Sequence, residues 1–280
     1  MLVSIIITTK NSARTLEACL RSVRDQTYRP IEIIVVDNHS ADETLAIAKK
    51  YADRVLQAGP ERCAQRNAGI RESTGEYVCI IDSDMTLQND VIEKCVAAIS
   101  RESEAVVIPE RSFGVGFWSA CKAAERECYL EDENTTGARF FTRRVLDEVG
   151  FYDETFIGGE DWDLSIRATN GLKPSFAQSL ILHDEGRQSF IGLCRKKFYY
   201  GAGLRIFIKK HGADALRRLQ PMRPALLRGL ARIFRKPLIG AGFVVMKSGE
   251  LAAVLLGMLL NRQSLPESIY RHSNAARQAD

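Results

Sequence analysis

The segment Glu76-Tyr-Val-Cys-Ile-Ile-Asp82-Ser83-Asp84 places two carboxylates, one residue apart, at the end of an apolar run. A folded core keeps such anions only where they are paired or bind a cation, because desolvating an unpaired carboxylate is costly. Oxygen donors of this kind suit a hard divalent cation. A cation at the carboxyl edge of a parallel sheet commonly brings a phosphate ligand with it. Taken alone, Asp-x-Asp also fits a solvated turn after a strand. A second acidic group, Glu160-Asp161-Trp162-Asp163, follows Gly158-Gly159. It opens a helical pattern, so its carboxylates meet the positive end of the helix dipole. An ionised carboxylate in a closed site can take a proton from a hydroxyl as a new bond forms. The paired glycines suggest close approach of the backbone to a ligand. Asp163 and Arg167, four apart, suit a structural ion pair.

These groups need a scaffold, and the first hundred residues supply one. Leu2–Thr8, Ile31–Val36, Arg54–Gln57, Glu76–Ile81 and Ala105–Pro109 read as short strands. Between them lie helical patterns: one after Asn11 or Ser12, one opened by a capping box at Ser40-Ala-Asp-Glu43, one started by Gly59-Pro60, and Gln88–Ser100. Strict alternation of this kind predicts βαβ crossovers and a mostly parallel sheet. Strands apolar throughout agree, since helices then cover both faces. Beyond Pro109 the pattern loosens. Gly114-Val-Gly116-Phe-Trp-Ser119 mimics a dinucleotide fingerprint, but its place and its third position are wrong for one. A mobile loop leading to a helix through Tyr129 is expected instead. Gly137–Thr142 reads as a strand, Arg143–Val149 as a short helix, Glu160–Thr169 as a helix and Gln178–Leu182 as the last strand. From Gln188 onward the pattern is helix or connector.

The composition fits one large globular domain with an appendage. Seven cysteines without a CxxC pair read as reduced structural thiols of a cytosolic protein. Leu2–Ile7 reads as a strand rather than a signal peptide. Net charge is +4, but residues 187–236 hold 14 Lys/Arg against Asp214 alone, and residues 1–186 are acidic overall. A basic segment of this kind faces a nucleic acid, a membrane or an anionic substrate. Zinc-finger and RNP-type patterns are absent from the sequence, so no nucleic-acid partner is expected.

Several segments match a known family in order and spacing. Val3-Ser-Ile-Ile-Ile-Thr8-Thr-Lys-Asn11 and Glu32-Ile-Ile-Val-Val-Asp37-Asn-His-Ser40 resemble the start of the family 2 glycosyltransferases, which have the GT-A fold. Arg66-Asn67-Ala-Gly69, Gly75-Glu76 and Asp82-Ser83-Asp84 are similar to that family's middle. Gly150-Phe-Tyr-Asp153-Glu154 and Gly159-Glu160-Asp161-Trp162-Asp163 resemble its acceptor side. The resemblance implies an α/β, Rossmann-like GT-A domain over residues 1–186. Its nucleotide half spans about 1–110 and its acceptor half about 111–186, with a basic helical segment, 187–280, beyond. It implies a non-processive, inverting transfer of a sugar from a nucleotide sugar to an acceptor hydroxyl, with Mn²⁺ or Mg²⁺ stabilising the diphosphate leaving group. Asp84 is then the direct metal ligand and His183 a second; a core-edge histidine is the other reading of His183. Asp82 reaches the ribose or a metal-bound water. Thr8, Asn11, Asp37, Arg66, Asn67 and Ser83 line the nucleotide. Asp37 sits where a carboxylate can accept the imide N–H of uracil, which favours a UDP-sugar; its alternative is a turn or capping aspartate, a role Ser40 already covers. Asp161 is the base, with Glu160 and Trp162 on the acceptor. Thr8 stands where the family usually has proline.

Other functions fit less well. A sugar nucleotidyltransferase needs a Gly-rich phosphate loop where this chain has Thr8-Thr-Lys-Asn-Ser12, and a non-catalytic binder needs neither Asp84 nor Asp161. A processive polysaccharide synthase carries a Gln-x-x-Arg-Trp string that this chain lacks. Residues 237–260 form an apolar run long enough to span a bilayer, interrupted by Lys247 and Glu250, which are spaced to pair with each other. Following a basic segment, this run predicts attachment at the cytoplasmic face of a membrane, where a lipid-linked or cell-envelope glycan would be the acceptor. Oligomerisation through 237–260 is the alternative.

Overall fold

The computed structural model describes residues 1–100, 103–130, 132, 135–220 and 222–260. In chain order the elements are β1 (Val3–Thr9), α1 (Ala13–Arg24), β2 (Ile31–Asp37), α2 (Thr44–Tyr51), β3 (Arg54–Gln57), α3 (Arg62–Glu72), β4 (Tyr77–Asp82), β5 (Met85–Leu87), α4 (Val91–Ala98), β6 (Ala105–Val107) and β7 (Glu110–Val115). They continue with α5 (Phe117–Glu127), β8 (Phe140–Thr142), α6 (Arg143–Val149), α7 (Glu160–Ala168), β9 (Ser175–Phe176), β10 (Ile181–Arg187), α8 (Phe190–His211), α9 (Ala213–Leu219), α10 (Pro224–Phe234) and α11 (Pro237–Leu260).

The chain forms two compact units. The first comprises Met1–Glu110, Thr136–Thr155 and Glu160–His183. Its sheet has the strand order β3-β2-β1-β4-β8-β6-β9. The β3-β2-β1-β4 half is parallel, and β8 is antiparallel to both β4 and β6. Alternate residues of each central strand point to opposite faces, and both faces are covered. Ile5, Ile7, Cys79 and Ile81 enter one apolar cluster with Leu16, Leu20 and Ile92; Ile6, Ile34, Val78 and Ile80 enter another with Ile70, Phe141 and Leu146. The strand switch at β1/β4 places Thr8 opposite Asp82, and Thr9 opposite Asp37, at one carboxyl edge.

The second unit comprises Arg111–Thr135, Phe156–Gly159 and the chain from Asp184. Its core joins α5, α8, α10 and α11 through Cys121, Leu193, Leu226, Ile233, Phe243 and Met246. Residues 261–280, the end of the C-terminal segment, lie outside the described residues.

Several local expectations change. No capping box opens α2: Ser40 accepts instead from the Asn11 N–H, 2.7 Å, and α2 starts at Thr44, whose N–H is received by Asp42 at 3.1 Å. Pro60 precedes α3 rather than opening it, because that helix begins at Arg62. The expected mobile loop at Gly114 is largely strand, since β7 runs to Val115 and α5 follows at once. The last strand begins at Ile181 and extends to Arg187. All seven cysteines are free thiols, five of them buried, as their apolar settings predicted.

Candidate active site

Arg66, on the buried face of α3, is fully buried within the first unit. A guanidinium cannot lose its proton there and must be matched by anions. Its Nη1 donates to Asp161 at 2.7 Å and lies 3.5 Å from Glu160; its Nη2 donates to Asp82 at 3.0 Å. The ring of Tyr152 lies under the guanidinium, 5.0 Å from centroid to Cζ, and its hydroxyl reaches Asp161 at 3.3 Å. Burial alone would lower the affinity of Arg66 for its proton, but Asp161, Tyr152, Asp82 and Glu160 outweigh it and push its pKa well above the ordinary value. Burial likewise pushes the Asp82 carboxyl up, and Arg139 and Arg66 more than reverse this, holding it well below the usual carboxylate range. The two acidic motifs, 79 positions apart from Asp82 to Asp161 in the chain, are therefore tied to one cation.

Each carboxylate has a distinct setting. Asp82 ends β4 with one oxygen toward Arg66 and the other 3.3 Å from Arg139. Asp84, two residues further on, turns to His183, with Oδ2 3.4 Å from Nε2. The antiparallel pairing of β5 with the start of β10 fixes that meeting, because it sets His183 opposite Met85. Glu110 approaches the other imidazole nitrogen, 3.6 Å from Nδ1, and also accepts from Arg139. Asp84 and His183 thus offer oxygen and imidazole donors side by side, with a carboxylate behind the histidine, an arrangement that fits a divalent cation. Among the described residues, no group of three or more His, Cys, Asp or Glu is placed to hold a metal ion.

On α7, Glu160 and Asp161 occupy the first turn, as expected. Glu160 also pairs with Arg62 at 3.1 Å. Asp163 is committed to Arg167 at 2.7 Å, which is the structural pair predicted from their spacing. Trp162 is half-buried on the same turn. The glycines before α7 are closely packed. A Cβ on Gly158 would sit 3.2 Å from the Tyr200 ring, and Gly159 has a φ of +85° beside Phe207. Both glycines and α8 belong to the second unit, and their close neighbours there are side chains of α8.

The nucleotide candidates are less uniform. Thr8 is buried at the end of β1. Asn11 has a φ of 48° and receives the Ala41 N–H at 2.9 Å. Both Asp37 oxygens accept from Ser40, one of them from its N–H at 2.8 Å. Asp37 therefore holds the turn that Ser40 alone was expected to make. Asn67 clamps the Tyr152 backbone, accepting from its N–H at 2.9 Å and donating to its carbonyl at 2.9 Å. Ser83 bonds the Ser12 hydroxyl at 2.8 Å. Sequence reasoning passed over Arg139, Glu110, Arg62 and Tyr152. Glu110 had a usable signal: it follows an apolar strand, as Asp82 does.

Known proteins resemble this chain in sequence and in fold. A cholesterol galactosyltransferase of Borreliella burgdorferi is 29% identical over 192 residues, covering 65% of this chain and 52% of that protein. The glycosyltransferase AglE of Haloferax volcanii is 29% identical over 222 residues, 72% of each chain. The chain thus spans about half the length of the first of these relatives. Among solved structures, a mannosyltransferase of Pyrobaculum calidifontis, in complex with GDP-Man and Mn²⁺, superposes with a TM-score of 0.59 over 98% of this chain and 79% of that one at 18% identity. S. aureus TarS 1–349 in complex with UDP-GlcNAc gives 0.55 over 90% and 91% at 17% identity. These likenesses establish a GT-A fold. The family model described as glycosyl transferase family 2 matches residues 4–156, more than half of the chain, and the chain belongs to that family.

Proposed function

We propose that this chain transfers a sugar, with inversion, from a nucleoside-diphosphate sugar, a UDP-sugar in the first instance, to a hydroxyl of a lipid-linked or cell-envelope glycan at the cytoplasmic face of a membrane. The observation that carries the chemistry is the Arg66 guanidinium, which holds Asp161 and Asp82 on one buried cation. Arg66 and Tyr152 fix the direction of the Asp161 carboxylate without giving it a proton. Asp161 takes the proton of the acceptor hydroxyl, and the oxygen forms its bond to the anomeric carbon. The bond from that carbon to the diphosphate breaks on the opposite face, and its electron pair leaves with the diphosphate. Opposite-face attack inverts the anomeric centre.

Asp84 and His183 would hold Mn²⁺ or Mg²⁺, which supplies positive charge to the diphosphate leaving group. Glu110, 3.6 Å from Nδ1 of His183, stands behind the imidazole whose Nε2 faces Asp84, where it could close to a hydrogen bond once a cation is held. Arg139 and Arg66 hold Asp82 still, so that its role is to shape the edge of the nucleotide site together with Thr8, Asn11, Asp37 and Ser83. Asn67 supports the site by clamping the Tyr152 segment. Glu160 and Trp162 are placed to meet the acceptor. A soluble sugar transfer needs neither the basic helices nor α11, and these support attachment to a membrane.

Transfer and donor hydrolysis across a panel of UDP-, GDP- and dTDP-sugars, with and without Mn²⁺, test this reading, with the product anomer read by NMR. Activity with one nucleotide family, dependence on the cation and an inverted anomer are expected. Full turnover by verified metal-free enzyme would remove the cation from the scheme, and a retained anomer would remove direct displacement.

A further inference from the structure

The helix α11 is 24 residues long and apolar enough to cross a bilayer by length and composition. Its two charges point inward rather than at each other. Lys122 of α5 donates to Glu250 at 2.9 and 3.2 Å and to Glu125 at 2.7 Å, and Lys247 donates to Glu125. The expected Lys247–Glu250 pair is replaced by a four-membered cluster that shares α5 and α11, because α5 brings one opposite charge to each. The same inward face carries Gly242, Phe243, Met246, Ala253 and Gly257. It is seated along the whole helix: a Cβ on Gly242 would strike Phe117 and Cys121 of α5, and one on Gly257 would lie 2.1 Å from the Phe198 carbonyl of α8.

What remains exposed is one uncharged stripe. Leu238, Val244, Val245, Leu251, Leu255 and Leu259 follow helical spacing, and the two ends of the stripe are the most open, with Leu238 at 79%, Leu259 at 65% and Leu260 at 68% exposure. The preceding helix α10 exposes Arg228 and Arg232, and Arg235 just after it, together with Leu227 and Phe234.

We propose that α11 lies in the plane of an anionic phospholipid bilayer, its outer stripe sunk to the boundary between headgroups and acyl chains, and that it does not span. This deepens the membrane attachment proposed above and rests on it. A spanning helix must show lipid its whole circumference or take its neighbours with it. Here the neighbour along most of its length, α8, carries Arg195, Lys196, Lys197, Arg205, Lys209 and Lys210. Peeling α11 away instead would strand Lys122 and Glu125 without Glu250 and Lys247. Lying flat asks for neither. The arginines of α10 then reach phosphate headgroups while its Leu227 and Phe234 dip beside the stripe. A second copy of the chain is the poorer occupant. An isologous contact would bring two like surfaces together, each bordered by a segment of 14 basic residues and one acid.

The test uses the full chain and vesicles of phosphatidylcholine with phosphatidylglycerol. Co-sedimentation reads attachment. Depth is read from tryptophan added at exposed positions, Leu251→Trp near the middle of α11 and Leu259→Trp near its end, against wild type as background. Lipids carry a nitroxide at acyl carbon 5 or 12. In-plane binding predicts that both added tryptophans are quenched more by the shallow label, with ratios within about twofold of each other at this shallow depth. Binding with Leu251→Trp quenched most by the deep label and Leu259→Trp by the shallow one would overturn the in-plane geometry while leaving attachment intact. Failure to bind anionic vesicles, with a defined oligomer in solution, would overturn both.

Discussion

Replacing Asp161 by asparagine separates the charge of the proposed base from its place in the structure. The amide keeps an oxygen where Arg66 Nη1 donates at 2.7 Å and the Tyr152 hydroxyl at 3.3 Å, so the local geometry should persist. Arg66 would lose one anion but keep Asp82 at 3.0 Å and Glu160 at 3.5 Å. Exchanging a charge-assisted hydrogen bond for a neutral one costs about 1 kcal/mol. A loss of that size moves the melting temperature by about 2–4 °C in a domain of this order, so the variant should fold. Loss of a general base costs about 10²–10⁴ in rate, equivalent to about 3–5 kcal/mol of barrier. The donor is bound before that proton moves, so nucleotide affinity should change by less than about threefold, a free-energy shift of under about 0.7 kcal/mol. Single-turnover transfer gives the chemical step, and calorimetric titration with the nucleotide diphosphate gives the affinity. Wild-type turnover in Asp161→Asn would refute the assignment. Glu160 would then be the next base, ahead of Asp163, which is buried against Arg167. A fall in nucleotide affinity as large as the fall in rate would show that Asp161 works through Arg66 on the donor.

Asp84→Ala should abolish cation-dependent turnover while leaving the melting temperature within a few degrees of wild type, since the side chain is partly exposed; turnover unchanged by both the substitution and EDTA would contradict this. Glu110→Gln should weaken Mn²⁺ binding by about 10–100-fold, the usual effect of losing a carboxylate behind a histidine ligand, read by Mn²⁺ EPR rather than by activity; unaltered affinity would assign Glu110 to Arg139 alone. In the second unit, burial pushes the Glu125 carboxyl up, but Lys122 and Lys247 outweigh it and hold it below the usual range. A depressed carboxyl stabilises the fold fully above its unfolded value of about 4.3, and that contribution is lost as pH falls below it. Glu125→Gln should therefore flatten the acid limb of the thermal stability profile; an unchanged limb would place the acid sensitivity elsewhere. Lys122→Met should destabilise the second unit by about 3–5 kcal/mol, because Glu250 is left buried without its cation, and denaturant unfolding by intrinsic fluorescence would show a midpoint unmoved if the cluster were weak.

The parallel half of the sheet was legible because its central strands carry unbroken apolar runs, Ile5–Ile7, Ile33–Val36 and Val78–Ile81, a pattern that helices on both faces explain. The same reading failed at helix starts. Ser40-Ala-Asp-Glu43 has the letters of a capping box, yet Ser40 is held by Asp37 within its own turn and by Asn11, and Ala41 beside it is also held by Asn11, through contacts that cross from the end of another strand. Such bonds depend on which edges the fold brings together, and local spacing does not record that. The site shows the same division. Asp82, Asp84 and Asp161 stand out as charges after apolar runs or at a helix start. Arg66, which joins two of them, stood out in the sequence only as a nucleotide contact implied by the family resemblance; its burial between Asp82 and Asp161 depends on α3 turning it inward.

The C-terminal helix shows why one charge pattern had several readings. Lys247 and Glu250, three residues apart, look like a pair that lets a long apolar helix pass as a span. Pairing them with each other would leave the helix's orientation open. Pairing each with α5 closes it, because both charges must then lie on the inward side and the outward side contains none. The decisive residues, Lys122 and Glu125, lie over a hundred positions earlier in the chain, in a stretch whose glycines had drawn attention instead. A helix that commits its charges to a folded partner can sink one face into lipid at no electrostatic cost, and its length then measures the footprint on the surface rather than the thickness crossed.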